Sequence, residues 1–308
     1  MVHLAASLLK HPNETMLDAL RHDAALVEAE LDRLLPLPAP GPRRRLQEAV
    51  RYAVLNGGKR LRPFLLLQTA RLFGMPPARA LRAAAAIEML HCYSLVHDDL
   101  PAMDDSNLRR GRPTVHRAYD EATAVLVGDA LLTQAFAVLA APLTHPDPEL
   151  RCQLLTGLAH AGGMDGMIGG QAIDLASERR DLDLKGIEEL QAYKTGALIV
   201  EACRAGALLG GAEQGEIQAV ERYASCLGLA FQIVDDLLDA EGDPAAVGKP
   251  VGQDAAAGKA TFVGRLGAAA ARERAAELVR ASQEALSPFG GRSAILQRTA
   301  EFVLTRQV

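Results

Sequence analysis

The segment Tyr93-Ser94-Leu95-Val96-His97-Asp98-Asp99-Leu100-Pro101-Ala102-Met103-Asp104-Asp105 ends an Ala- and Leu-rich run with four carboxylates. A second segment, Phe231-Gln232-Ile233-Val234-Asp235-Asp236-Leu237-Leu238-Asp239, repeats the arrangement later in the chain. Each places acidic groups at the C-terminal end of an apolar helix. That is the wrong end for the macrodipole, which favours anions at helix N-termini. Asp235 and Asp239, four apart, share one helix face. Pro101 disfavours helical geometry at Leu100, so the chain should leave the helix there and bring Asp104 back beside Asp98. Like charges ~4 Å apart repel by roughly 4 kcal/mol at an effective dielectric near 20. Two such clusters therefore call for a cation. Hard oxygen donors without His or Cys at metal spacing favour Mg²⁺ or Ca²⁺ over Zn²⁺.

The rest of the chain suits helices. Of 308 residues, 49% are hydrophobic and only 4% aromatic, with no Trp, which argues against β-sandwiches and barrels. Periodicity near 3.6 predicts helices at about 14–35, 43–56, 61–74, 78–100, 116–141, 148–161, 165–178, 187–211, 214–241, 255–286 and 291–306. No segment alternates with period two. Breaks at Gly57-Gly58, Met75-Pro76-Pro77, Pro142 to Pro148 and Gly242 to Gly252 are too short for interdomain linkers. The expectation is a single all-α domain over 1–308, with helices apolar all round in the middle of a large bundle.

Partners are bounded by charge. The net charge of −5 and the lack of a polybasic run argue against nucleic acid. The uncharged run Ala130 to His145 contains Thr133, Gln134 and Pro142 and is expected to be a buried helix, not a membrane span. Cys92, Cys152, Cys203 and Cys226 are widely spaced and are expected to be reduced and buried. The short apolar stretch Val2 to Leu9 has no basic flank, which makes it a poor signal peptide and gives a cytoplasmic expectation.

Only six of the 33 basic residues are Lys, and Lys59, Lys194, Lys249 and Lys259 lie beside or next but one to glycine, in or near breaks. Glycine lets backbone and ammonium approach an anion closely. Leu108-Arg109-Arg110-Gly111-Arg112-Pro113-Thr114 follows the first acidic cluster directly, and paired guanidiniums suit bidentate phosphate contacts. Any one of these charges alone would be an ordinary surface loop. Together with metal-binding carboxylates they describe a protein that grips two polyphosphates. No Walker motif is present. His97-Asp98 is not accompanied by the other histidines of an HD phosphohydrolase, and His116, Cys92 and Cys226 fit structural roles. Gly162-Gly163 and Gly169-Gly170 follow no strand and are expected to allow close helix packing or a kink.

The two Asp-rich motifs, Gly57-Gly58-Lys59-Arg60-Leu61-Arg62-Pro63, Leu108 to Thr114, Tyr193-Lys194-Thr195-Gly196 and Phe231-Gln232 before Asp235-Asp236 together resemble the trans-isoprenyl diphosphate synthases, specifically the bacterial and plastid-type short-chain branch. The resemblance runs from about Arg43 to Gly258. It implies an all-α bundle around a deep cavity, a homodimer, Mg²⁺ (or Mn²⁺ in its place), and head-to-tail condensation of isopentenyl diphosphate with an allylic diphosphate. Carried over, Asp98 and Asp104 would hold two Mg²⁺ and Asp235 a third, with Asp99, Asp236 and Asp239 supporting through waters. Arg109, Lys194 and Lys259 would contact the allylic diphosphate, with Lys249 closing over it from a Gly-rich lid at 242–258. Lys59, Arg62, His91 and Arg110 would bind the diphosphate of isopentenyl diphosphate. Thr195 and Gln232 would face the reacting carbons, and Gln171 and Asp174 would orient their neighbours. Phe262 stands where relatives commonly carry Tyr. Tyr93 and Ser94 lie five and four residues before Asp98, deeper in the cavity. An aromatic floor at Tyr93 would stop growth at farnesyl length, with geranylgeranyl the alternative. A terpene cyclase, or a non-catalytic subunit, would be expected to lack the second acidic motif or the basic contacts.

Overall fold

A computed structural model describes residues 16–177, 182–241 and 260–305. The predicted site residues Lys249 and Lys259, with the Gly-rich segment around them, lie outside these. In chain order the helices are α1 (Met16–Leu34), α2 (Arg44–Val54), α3 (Leu61–Leu72), α4 (Pro77–Asp98), the short α5 (Val115–Ala118), α6 (Glu121–Ala140), α7 (Pro148–Gly162), α8 (Met167–Ser177), α9 (Leu184–Gln191), α10 (Ala197–Leu209), α11 (Gln214–Glu241), α12 (Phe262–Leu266), α13 (Ala268–Ala285) and α14 (Ala294–Thr305). A π-helical turn at Ala192–Gly196 joins α9 to α10, and a 3₁₀ segment at Ser287–Ser293 joins α13 to α14.

The all-α expectation holds, with three corrections. The run expected at 116–141 is two helices, because Asp120 accepts a hydrogen bond from Thr123 N at 2.7 Å and starts α6 afresh. The run expected at 255–286 breaks within the described residues at Gly267, whose φ of 76° ends α12 and begins α13. A two-residue hairpin pairs β1 (Leu108–Arg109) with β2 (Arg112–Pro113), although no strand was expected. Its central residues, Arg110 and Gly111, have φ of 54° and 75°, the tight-turn geometry that suits a right-handed strand twist.

Two apolar clusters share α3 and α10 as their common wall. Leu66, Leu67 and Ala70 of α3 face one cluster with α4 and α6; Phe64, Leu65 and Leu72 face the other with α11, α13 and α14. A helix buried on all sides needs no polar face, which explains the unbroken Phe64-Leu65-Leu66-Leu67 run. At Gly206 on α10 an added Cβ would lie 2.4 Å from Leu66 O, so the absent side chain sets how closely α3 and α10 approach. Asp23 on α1 is fully buried and accepts from Gln68 Nε2 at 2.8 Å and from both terminal nitrogens of Arg71, pinning α1 to α3.

All four cysteines are free thiols, as expected, but only Cys92 and Cys203 are buried; Cys226 is half-buried and Cys152 exposed. Helix α6 carries the apolar run expected to be buried and is the one described helix long and apolar enough to cross a membrane. It instead packs in the bundle against α4, α2, α5 and α7, with only 39% of that stretch buried.

Candidate active site

The end of α4 turns back on itself as its sequence predicts. Asp99 N donates to Leu95 O at 3.1 Å, and past Pro101 the chain returns so that Asp104 N donates to Asp98 O at 2.9 Å. Asp98 and Asp104 are thus neighbours. Burial raises the Asp98 pKa from 3.8 to about 6; Lys194 and Arg109 oppose the rise, and Asp104 and Asp99 add to it.

Asp99 is nearly buried and already paired. Arg109 donates Nη2 and Nε to its Oδ1 at 2.6 and 3.0 Å. The hairpin makes this possible by sending Arg109 and Arg110 to opposite sides, so that Arg110 Nη1 donates to Gly57 O. A Cβ on Gly58 would sit 2.4 Å from that guanidinium. The paired glycines therefore seat Arg110, a use different from the expected approach of Lys59, whose residue is exposed.

Beside Arg110 lies an unusual concentration of positive charge. Arg62 Nη1 is 3.4 Å from His91 Nε2, and the Arg62 Nε is buried without a hydrogen bond. Burial holds the His91 pKa well below the ordinary imidazole value, and Arg62, Arg110, Arg109 and Arg60 depress it further. The neutral form of His91 is therefore favoured beside four guanidiniums. Burial also lowers the Arg62 pKa; Glu88 and Asp235 of α11 oppose this, and Arg110 adds to it.

A cavity of about 560 Å³ connects the acidic and basic groups. Eight of the expected residues border it: Arg62, His91, Tyr93, Ser94, Asp98, Gln171, Lys194 and Thr195. The π-helical turn puts Lys194 and Thr195 there, and Lys194 Nζ is ion-paired with Asp174 of α8. Gly170 permits this approach, since a Cβ on it would lie 2.2 Å from Lys194 N. Both side-chain polar atoms of Gln171 are buried without partners, so its amide is left to meet a ligand. On α11, Asp235 and Gln232 are half-buried, whereas Asp236 and Asp239 are buried. Asp236 Oδ2 accepts from Phe262 N at 2.8 Å, and the Phe262 ring is fully buried. Phe262 thus anchors α12 to the second acidic motif, where no hydroxyl is needed.

The carboxylates suit a hard cation. Among the described residues no three His, Cys, Asp or Glu side chains form a ready-made metal cage. Mg²⁺ does not require one, because it takes one or two carboxylates and completes its shell with water and phosphate oxygens.

Sequence reasoning missed the buried ion pair Arg60–Glu88, with Nη1 to Oε1 at 2.7 Å and Arg60 Nη2 to Val54 O at 2.6 Å. Arg60, in left-handed geometry at the start of α3, braces the junction between the loop that carries Lys59 and the helix turn that carries Arg62. Glu88, the single acid inside the apolar run from Ala83 to Leu90, was the available signal. The thiol of Cys92 beside it is pushed up to about 12 by burial and by Glu88, which fits a core filler and not a nucleophile.

A helical bundle with a basic wall, an acidic rim and an apolar cavity between them defines a class of protein that handles anionic head groups on apolar tails. Residues 43–287 match the family model described as polyprenyl synthetase, and the chain belongs to that family, the prenyl-transferring trans-isoprenyl diphosphate synthases. It is 42% identical over 293 residues to the farnesyl diphosphate synthase of Geobacillus stearothermophilus, covering 93% of this chain and 96% of that protein. It is 43% identical over 290 residues to geranylgeranyl pyrophosphate synthase 9, chloroplastic, of Arabidopsis thaliana, covering 92% and 79%. Among solved structures, an FPP/GFPP synthase from Zymomonas mobilis superposes with a TM-score of 0.85 at 44% identity, covering 94% of this chain and 98% of that one.

Proposed function

We propose that the protein condenses isopentenyl diphosphate with an allylic diphosphate, dimethylallyl or geranyl, and releases farnesyl diphosphate. The observation that carries this reading is the one cavity that Arg62 and the half-buried His91 line together with Asp98, with Arg110, Arg109 and Arg60 adding positive charge around His91. Asp99 and Glu88 neutralise Arg109 and Arg60. Among the described residues, however, the Arg62 Nε is buried without a hydrogen bond and Arg110 is held by the Gly57 carbonyl, so a diphosphate supplies the charge these two guanidiniums call for.

In this reading Arg62, His91, Arg110 and Lys59 hold the diphosphate of isopentenyl diphosphate, and Arg109 and Lys194 hold the allylic one. Asp98, Asp104 and Asp235 are the residues to hold Mg²⁺, which when bound supplies positive charge against the diphosphate oxygens. The allylic C1–O bond breaks, and its electron pair leaves with the diphosphate, whose developing charge Arg109 and Lys194 stabilise. The isopentenyl double bond then attacks C1, and the proton lost from its C2 passes to the departed diphosphate. Thr195 and Gln232 border the reacting carbons, and the apolar walls exclude water from the cation. Tyr93, 5% exposed and lining the cavity, is the floor that halts growth at farnesyl length. Ser94, small and also on the lining, favours geranylgeranyl as the second reading. The exposed apolar stripe on α6 pairs with a second copy, giving a homodimer at a cytoplasmic address.

Incubation with Mg²⁺, isopentenyl diphosphate and geranyl diphosphate tests the proposal. A linear farnesyl product, identified by chromatography after dephosphorylation, is expected. A hydrocarbon would make the protein a cyclase, and no turnover would make it a non-catalytic subunit.

A further inference from the structure

Three groups stack between helix α6 and the cavity. Gly128 of α6 is buried, and a Cβ on it would lie 2.0 Å from His97 Nε2 and 2.3 Å from Cδ2. Its backbone is ordinary helix, so the close approach, and not an unusual φ, excludes a side chain there. The His97 imidazole fills the notch left by that missing side chain. Its Nε2 lies 3.1 Å from Val125 O, and because a carbonyl can only accept, Nε2 carries the proton. Tyr93 also packs against the imidazole, in a T-shaped contact with ring centroids 5.8 Å apart and planes at 86°. Tyr93 and His97 are four residues apart on α4 and so share one helix face. Both border the cavity. The Tyr93 hydroxyl is buried and makes no hydrogen bond, so no polar contact fixes the ring. Its position depends on what it packs against.

We propose that His97, seated in the Gly128 notch, is a positioning residue for product length. It acts as the backstop that holds the Tyr93 ring across the cavity. The inference rests on the reading of Tyr93 as the floor and adds what sets the depth of that floor. Removing the imidazole leaves a void behind Tyr93 into which the ring can tip, which deepens the cavity. A methyl at Gly128 pushes the imidazole outward against Tyr93, which makes the cavity shallower. The two changes act in opposite directions at one contact, and that opposition is what a merely structural role would not produce.

Product ratios at matched conversion, with isopentenyl and geranyl diphosphates as substrates, read this directly and are independent of overall rate. In His97→Ala the geranylgeranyl-to-farnesyl ratio should rise about tenfold, the scale on which a hydrophobic pocket discriminates by size. With dimethylallyl diphosphate as starter, Gly128→Ala should raise the share released at the geranyl stage. In the double variant the new methyl fills the vacated space, and the ratio should return toward that of the parent. In a Tyr93→Ala background His97→Ala should add little, because the group it positions is gone. Unchanged ratios in His97→Ala, alongside lengthening in Tyr93→Ala, would overturn the backstop and leave the floor standing. An unchanged product in Tyr93→Ala would overturn both. Additive lengthening in the Tyr93→Ala/His97→Ala protein would show His97 acting on its own account and would overturn the positioning role. If Gly128→Ala does not fold, His97→Ala and its combination with Tyr93→Ala decide the matter.

Discussion

Asp98 retains a proton more readily than an ordinary carboxylate because burial and the nearby Asp104 and Asp99 penalise its charge more than Lys194 and Arg109 favour it. Its folded pKa of about 6 exceeds the ordinary 3.8, so the stability linked to it is complete below about 4 and is lost as pH rises through about 6. At pH 8 the ionised group therefore costs the empty protein stability. Asp98→Asn should be more stable than the parent at pH 8 by about 1–2 kcal/mol in thermal unfolding, after allowance for partial solvent screening. The same change should lower kcat by about a hundredfold or more. Mg²⁺ with inorganic diphosphate should raise the melting temperature of the parent and not that of the variant. Glu201 on α10 offers a second case far from that chemistry. Burial raises its pKa from 4.5 to about 7, Arg204 opposes the rise and Glu221 adds to it. It fits only because Gly157 leaves space, a Cβ there falling 2.3 Å from Oε1. The sign is the same, so the parent should lose stability between about pH 4.5 and 7. Melting curves at pH 5 and 8 should show that loss reduced by roughly 2–3 kcal/mol in Glu201→Gln.

At the scale of elements, the π-helical turn at Ala192–Gly196 has the largest leverage on the site. It carries Lys194 and Thr195 into the cavity and is held by the contact of Gly170 with the Lys194 backbone. Gly170→Ala should push the turn away from α8 and break the Lys194–Asp174 ion pair. We expect a loss of about 1–3 kcal/mol in thermal unfolding, with a fall in kcat larger than any change in KM. The run 187–211 showed helical periodicity, but not the extra residue of the π turn, because one added residue shifts the apolar phase too little to see over five positions. The hairpin was hidden for a similar reason: two-residue strands have no period to detect. The start of α6 was not legible either, because the helical period continues across the Asp120 cap. The start of α7 was more legible, because Asp147-Pro148 carries the cap chemistry itself. The return of Asp104 to Asp98 could likewise be read from Pro101, since the constraint is local. The seating of Arg110 over Gly58, the Arg60–Glu88 pair and the His97 notch could not. Each joins residues that only the packed bundle brings together.

At the scale of the whole molecule, the described residues leave an apolar surface on α6 uncovered by their own packing. Sequence patterning makes α6 a core helix, yet Ala122, Val125, Leu126, Asp129, Thr133 and Ala137 form an exposed stripe at steps of one, three and four residues. Val125 and Leu126 are 42% and 53% exposed, and Leu143 just beyond the helix is 81% exposed. A helix this apolar with one face uncovered fits an isologous interface, in which the same stripe of a second copy covers it. Leu126→Lys places a charge on that stripe and touches none of the residues assigned to diphosphate or metal. Sedimentation or light scattering should give a two-chain particle for the parent and a one-chain particle for the variant at micromolar concentration. A dimer that survives Leu126→Lys would move the interface off α6. Asp129 and Leu132, on the same helix, border the cavity, so the monomer should also lose product-length fidelity while far-ultraviolet circular dichroism keeps its helical signal. Tight product control in a proven monomer would show that one chain closes its own cavity.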